Sequence, residues 1–286
     1  MPDRESVAGG GEVMSKAILI DLARCIGCRS CQVACKQWNE LPAEITQQTG
    51  TYENPPRLSS KTWTRVQVRE VEQNGKLVWS FAKRQCMHCQ EPACAAACIV
   101  GALHKTPEGP VVYDDYKCIG CRYCTLACPF GVPTFEWDTP VPYIRKCTMC
   151  VDRLAEGMEP ACVKACPTDA IMSGERDQLL QEAHARIQLG PDKYVDHIYG
   201  EHEVGGTSTL YISNVPFDKI GFPTLGPEPI PRYANVAMSA VPPTIVVVSA
   251  AMAGVYWITK RRAQMMSQKV SAPVEQWPKP GEDKED

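Results

Sequence analysis

The chain has 286 residues and a formal net charge of -3, long enough for one or two domains and without the basic excess that marks a nucleic-acid face. Hydrophobic residues make up 44% and charged residues 22%, so most of the chain can bury a core. Sixteen cysteines need a chemical explanation.

Residues 1–15 read as a loose N-terminal arm without a long apolar run. Ala17-Ile-Leu-Ile20 reads as a short buried strand that leads into the first cysteines. Residues 36–85 are an insertion without cysteine. Within it Trp63–Glu70 and Leu77–Phe81 alternate around Asn74-Gly75, which predicts a β-hairpin, with a looser loop at Pro55-Pro56. Residues 16–175 form the cysteine-bearing domain. Past it, Ser173 is the predicted N-cap of a helix over Glu175–Leu189 that buries Leu179, Leu180, Ala183 and Ile187. Residues 176–233 comprise this helix, a strand over Thr209–Val215 and a proline-rich extended segment.

Val236–Thr259 carries no charge and is followed by Lys260-Arg261-Arg262. From a start at Pro242 or Pro243, eighteen residues span roughly 27 Å, near the hydrocarbon thickness. A buried core helix is the competing reading, but the segment is apolar all round. The expectation is one transmembrane helix over 234–260, its basic end cytoplasmic, with the cysteine-rich body on the other side of the bilayer. Residues 261–286 read as a disordered cytoplasmic tail.

Four motifs use every cysteine: Cys25/Cys28/Cys31/Cys35, Cys86/Cys89/Cys94/Cys98, Cys118/Cys121/Cys124/Cys128 and Cys147/Cys150/Cys162/Cys166. Disulfides among such tight clumps would close very short loops and staple little. Zinc sites use pairs of C-x2-C, whereas the first and third motifs add a third and fourth cysteine at ferredoxin spacing. A cubane needs four thiolates. Three come from one tight loop and the fourth reaches the other cluster of a pair. Pro129 and Pro167 end the turns after Cys128 and Cys166. Four such motifs predict four [4Fe–4S] clusters in two ferredoxin-like dicluster modules and an α+β fold. Spacing alone leaves open which motifs pair.

His88 reads as a packed residue inside the second motif, and His104, His184, His197 and His202 as surface. Trp38, Trp63, Trp79 and Trp137 read as core. Arg29, Lys36, Arg122 and Lys164, near ligands, read as solvated surface, with tuning of a cluster potential as the alternative. No triad, phosphate loop or carboxylate pair stands out, so no organic substrate is expected to bind directly.

From Lys16 to Arg262 the chain resembles the iron–sulfur β subunits of membrane-bound respiratory formate dehydrogenases, within the wider group of molybdoenzyme partner subunits. The resemblance rests on Cys25-Ile-Gly-Cys-Arg-Ser-Cys-Gln-Val-Ala-Cys35 with Lys36-Gln-Trp-Asn-Glu40, Tyr52-Glu-Asn-Pro55, Lys61-Thr-Trp-Thr64 and Gln85-Cys-Met-His-Cys89. It continues in Cys118-Ile-Gly-Cys-Arg-Tyr-Cys124, Glu159-Pro-Ala-Cys-Val-Lys-Ala-Cys-Pro-Thr168 and Gly205-Gly-Thr207. It implies a nested pairing: Cys25, Cys28 and Cys31 with Cys166; Cys147, Cys150 and Cys162 with Cys35; Cys86, Cys89 and Cys94 with Cys128; Cys118, Cys121 and Cys124 with Cys98. A cysteine stands where nitrate-reductase relatives carry a Trp in the third motif, so four cubanes are implied. The implied partners are a molybdenum- or tungsten-pterin catalytic subunit, a membrane cytochrome b subunit and the lipid bilayer. Two features depart from the pattern: Ile99 follows Cys98 where proline is common, and Tyr199–Leu225 is equally similar to iron–sulfur subunits of uptake nickel–iron hydrogenases. Those subunits usually carry a twin-arginine signal, which is not read here. The expected role is an electron relay for a formate–quinone oxidoreductase. A relay for a hydrogenase and a zinc-stabilised structural module are the alternatives.

Overall fold

The computed structural model describes residues 15–47, 50–73 and 75–270. The arm over 1–14, Asn74 of the predicted turn and the tail from 271 lie outside the described residues. Among the described residues, sixteen strands and α-helices follow in chain order: β1 (Lys16–Asp21), α1 (Ser30–Trp38), β2 (Arg65–Gln73), β3 (Lys76–Arg84), α2 (Ala93–Ala96), β4 (Leu103–Lys105), β5 (Val111–Tyr113), α3 (Tyr123–Ala127), β6 (Thr134–Phe135), β7 (Ile144–Arg145), α4 (Val151–Ala155), α5 (Ala161–Lys164), β8 (Ile171–Glu175), α6 (Arg176–Leu189), β9 (Thr209–Ile212) and α7 (Pro231–Val270).

The apolar run at β1 becomes the middle of a three-stranded sheet ordered β8-β1-β9, antiparallel to β8 and parallel to β9. A middle strand covered on both faces needs side chains that are apolar on both. Ile18 and Ile20 enter one core with Tyr199, Tyr211, Phe217 and Phe222. Ala17 and Leu19 enter another with Leu179, Ala183 and Ile187 of α6. The three α6 residues recur every four positions, which puts them on one helical face. The predicted cap is displaced: Ser173 lies inside β8, and the helix starts at Arg176, whose N–H donates to Ser15 O at 2.9 Å. Pairing with β1 holds Ser173 extended, so the strand overrides its capping tendency.

The hairpin forms as expected, with longer strands. β2 and β3 pair from Arg65↔Arg84 to Gln73↔Lys76, and Gly75 sits at φ +71°, a conformation glycine adopts freely. The Pro55-Pro56 loop is stitched to this hairpin by the buried Glu53. Its carboxylate pairs with Arg65, pairs with Arg69 at 2.6 Å and accepts the Val68 N–H at 3.2 Å.

α7 is exposed from residue 232 to residue 267, and its Pro231–Ser267 portion is long and apolar enough to cross a membrane. It starts at Pro231, where the missing N–H costs nothing, and therefore carries Pro242 and Pro243 in its interior instead of at its first turn. Thr244 Oγ1 donates to Ala240 O at 2.7 Å and Ser239 Oγ to Val236 O at 2.9 Å, so the hydroxyls flanking the prolines bond within the helix. The helix runs through the basic cluster to Val270, where a disordered tail was expected.

Candidate metal centres

All four cysteine motifs share one local plan. The third cysteine is the second residue of a short helix: Cys31 in α1, Cys94 in α2, Cys124 in α3 and Cys162 in α5. The first and third motifs reach their helix through the same backbone, with Gly27 and Gly120 at φ +69° and Arg29 and Arg122 at φ +64°. In the second and fourth, Pro92 and Pro160 stand immediately before the helix. The longer spacers are absorbed ahead of that point, and α4 occupies much of the loop between Cys150 and Cys162. After Cys98, Ile99 does not open the turn: Gly101 N–H donates to Cys98 O at 3.0 Å, as Gly131 does to Cys128 O at 3.1 Å.

No cysteine forms a disulfide, and their mutual charges sort them across motifs. Burial first, then like charge, raises the pKa values of Cys25, Cys31, Cys35, Cys89, Cys94, Cys124, Cys128, Cys147 and Cys150. Cys25 faces Cys166 and Cys28. Cys35 faces Cys147, Cys162 and Cys150. Cys89 faces Cys86, Cys128 and Cys94. Cys124, pushed up to about 11, faces Cys98, Cys121 and Cys118, and those four thiols line one small cavity with Leu103, Tyr113 and Ile144. Links between groups run in series: Cys31 to Cys162, Cys147 to Cys86, Cys94 to Cys124. The exposed Cys28 shifts the other way, lowered by a hydrogen bond with Ser30.

This donor set fits iron–sulfur clusters. Buried thiolates raised by one another need cationic charge among them, and four-thiolate cages supply the ligands of a cubane. Backbone amides already point at sulfur: Ala102 N–H to Cys98 at 3.2 Å, Gly120 N–H to Cys118 at 3.4 Å and Met149 N–H to Cys147 at 3.3 Å. Asn39 Nδ2 lies 3.7 Å from Cys35 Sγ. Such bonds set a cluster's potential.

His88 is fully buried. Its Nδ1 accepts the Val111 N–H at 2.9 Å, and burial, then Lys146 and Lys105, lowers its pKa well below the usual value. It is a packed residue that ties the second motif to β5. Lys36 is not solvated as expected: its Nζ donates to Pro42 O at 2.8 Å and Lys61 O at 2.7 Å. Arg122 stacks near Phe135 and Trp137, Arg29 donates to Tyr52 O, and Lys164 is exposed. His184 and His197 are half-exposed and face Glu201 and Glu203. Trp63 is partly buried, but Trp38, Trp79 and Trp137 are exposed rather than core. Trp38 donates to Asp152 at 2.8 Å beneath Arg153.

Sequence reading missed three lysines. Lys105 Nζ bonds Cys89 O at 3.0 Å and Gly109 O at 2.7 Å, and burial brings its pKa down to about 8. Lys146 Nζ bonds Val111 O and, at 3.0 Å, Cys147 O. Lys83 is 1% exposed. Burial alone would lower its pKa, but the thiols of Cys162, Cys31 and Cys147 raise it above the usual value.

Together the turns, helices and thiol groups define a ferredoxin-like iron–sulfur protein. Two family models, each of a 4Fe-4S dicluster domain, match residues 24–102 and 77–176. The chain is 44% identical over 199 residues to the iron-sulfur subunit of the nitrate-inducible formate dehydrogenase of Escherichia coli K12, covering 68% of this chain and 67% of the relative. It is 42% identical over 200 residues to the formate dehydrogenase iron-sulfur subunit of Haemophilus influenzae, covering 68% and 64%. It is also 36% identical over 245 residues to the hydrogenase-2 operon protein HybA of Escherichia coli O157:H7, covering 74% of each. The chain belongs to the family of formate dehydrogenase iron–sulfur subunits.

Proposed function

We propose that this chain is the non-catalytic relay subunit of a membrane-bound formate–quinone oxidoreductase, with four [4Fe–4S] clusters. Cys25, Cys28, Cys31 and Cys166 would hold cluster A. Cys35, Cys147, Cys150 and Cys162 would hold cluster B. Cys86, Cys89, Cys94 and Cys128 would hold cluster C, and Cys98, Cys118, Cys121 and Cys124 cluster D. Each cubane, when bound, supplies a one-electron couple. The observation that carries the reading is the serial arrangement of the four thiol groups, linked at Cys31/Cys162, Cys147/Cys86 and Cys94/Cys124. The chain's own residues supply the ligands, bury half of them and direct N–H groups at sulfur. Electrons would enter from a molybdenum- or tungsten-pterin subunit and leave to a membrane cytochrome b that reduces quinone. α7 would be the anchor. The positive-inside rule puts Lys260–Arg262 at the cytoplasmic face and the cysteine-bearing part across the bilayer.

The similarity to HybA over 74% of each chain favours one second reading, a relay for a nickel–iron hydrogenase. The detergent-solubilised complex, purified anaerobically, distinguishes them by its donor. Quinone-analogue reduction by formate and not by hydrogen is expected. Activity with hydrogen alone would move the same relay to a hydrogenase, and activity with neither would remove both assignments.

A further inference from the structure

The Cys-free hairpin looks like an appendage, yet it delivers a charge to the middle of the thiol groups. β3 alternates, and Trp79, Phe81 and Lys83 share a face. Phe81 of that face packs directly on Gly27, in the loop between Cys25 and Cys28. Two residues further along the same face comes Lys83, 1% exposed. Its Nζ is buried without a hydrogen-bond partner among the described residues. Its backbone is pinned, because Tyr211 Oη donates to Lys83 O at 2.9 Å and the residue pairs with Val66 across the hairpin.

Phe81, on the same face, packs against a core that contains Cys31, Cys162 and Tyr211, so packing sets this stretch of β3 beside thiols of the first two groups. Lys83 acts on Cys25, Cys31, Cys35, Cys147 and Cys150, and Cys162 is the thiol that acts on it most strongly. These belong to the first two groups. The charges acting most strongly on Cys89, Cys94, Cys124 and Cys128, of the other two, do not include it. A buried cation without a hydrogen-bonding partner is costly unless fixed negative charge faces it. A thiolate-ligated cubane carries net negative charge, and that charge grows by one on reduction.

We infer that Lys83 is an electrostatic positioning residue shared by clusters A and B: its ammonium stabilises the added electron on either one and so raises both reduction potentials relative to clusters C and D. The inference rests on the ligand sets proposed above. Lys83 acts through the ligated groups and touches no substrate. Its effect on reduction is one of fixed charge in a poorly solvated place, where Coulomb terms are least screened.

The test is a potentiometric titration of the holo complex followed by electron paramagnetic resonance, with iron and sulfide measured alongside. The wild type comes first: iron and sulfide short of four cubanes would refute the ligand assignment, a failure separate from the inference about Lys83. With four couples in the wild type, Lys83→Met is expected to keep full iron content. Its reduction equilibrium should fall about tenfold at two of the couples, ~59 mV more negative for a one-electron couple, with the other two unmoved. Lys83→Arg should restore the wild-type values. Lys83→Gln gives the same reading if the Met variant fails to assemble. Unmoved couples in an iron-replete neutral variant, or an equal shift of all four, would overturn the inference. Iron loss in both neutral variants but not in Lys83→Arg would also overturn it, by making the role structural.

Discussion

The ring of Phe81 lies against Gly27 so closely that a Cβ on the glycine would stand 2.6 Å from Phe81 Cδ1, with φ at +69°. Gly120, its counterpart in the third motif, has the same φ and nothing within 4 Å. The pair separates backbone strain from crowding. Gly120→Ala should cost about 1 kcal/mol through φ alone. Gly27→Ala should cost about 2–3 kcal/mol and lower iron occupancy, because the ring must also move. Thermal unfolding with iron analysis of the two variants is the check, and Gly27→Ala/Phe81→Leu should recover the difference. Equal losses at the two glycines would mean that the hairpin is not seated on the first cysteine loop.

That contact was beyond the reach of sequence, although its parts were not. Asn74-Gly75 and the alternation around it announced the hairpin, because turn chemistry and period two are local. The second strand was read only as far as Phe81, so Lys83 fell outside it, although the same alternation puts it on the face of Phe81 and Trp79. The spacing of all sixteen cysteines was legible, since ligand geometry constrains short spacers. The common placement of the third cysteine was not, since the three-residue step to Cys98 or Cys166 does not announce a one-turn helix. The parallel β1–β9 pair joins residues far apart in sequence, and no local pattern encodes such a partner. Pro242-Pro243 misled because a proline pair usually marks a helix start, whereas α7 accommodates both internally.

At the end of β1, Asp21 is fully buried. It accepts from Arg186 Nη1 at 3.1 Å, from Tyr194 Oη at 2.8 Å and from the Ala23 N–H at 3.0 Å. Removing one partner of a buried ion pair leaves the other charge poorly compensated. Arg186→Met is expected to destabilise by about 2–3 kcal/mol, below the full buried-pair penalty because two donors to Asp21 remain. Asp21→Asn should cost less, since the neutral amide keeps acceptor capacity. Denaturant unfolding of the complex measures both, and a cost under about 0.5 kcal/mol for Arg186→Met would class the pair with ordinary surface ion pairs.

The same site makes part of the stability alkali-sensitive. Burial, then the hydrogen bond to Asp21, pushes the Tyr194 phenol up to about 12. The fold favours the protonated phenol, so this contribution is complete below about pH 10 and is lost as pH rises toward the folded value. Tyr194→Phe should therefore flatten the fall of stability over that interval without abolishing it, because burial also raises Tyr211 to about 12. Unfolding midpoints across the interval, with phenolate absorbance as the proton count, decide it. An identical fall in the Phe variant would assign the sensitivity elsewhere.

Cys31 and Cys35 lie one helical turn apart on α1, yet their thiols face different neighbours: Cys25 and Cys28 for the first, Cys147 and Cys150 for the second, with Cys162 near both. The nested ligand sets turn this into a counting experiment. Cys35→Ser and Cys147→Ser, far apart in sequence, should each impair the same couple, and the double variant should lose no more than that one. Cys31→Ser with Cys35→Ser, four positions apart, should impair two. Iron analysis and resonance spectra of the reduced complexes give the counts. If the Cys31/Cys35 double variant lost only one couple while Cys35/Cys147 lost two, each motif would close its own cluster, and the serial order of thiol groups would no longer describe the path of electrons. If the nested counts hold, α1 supplies ligands to two neighbouring clusters, and the covalent path between them is one turn of helix.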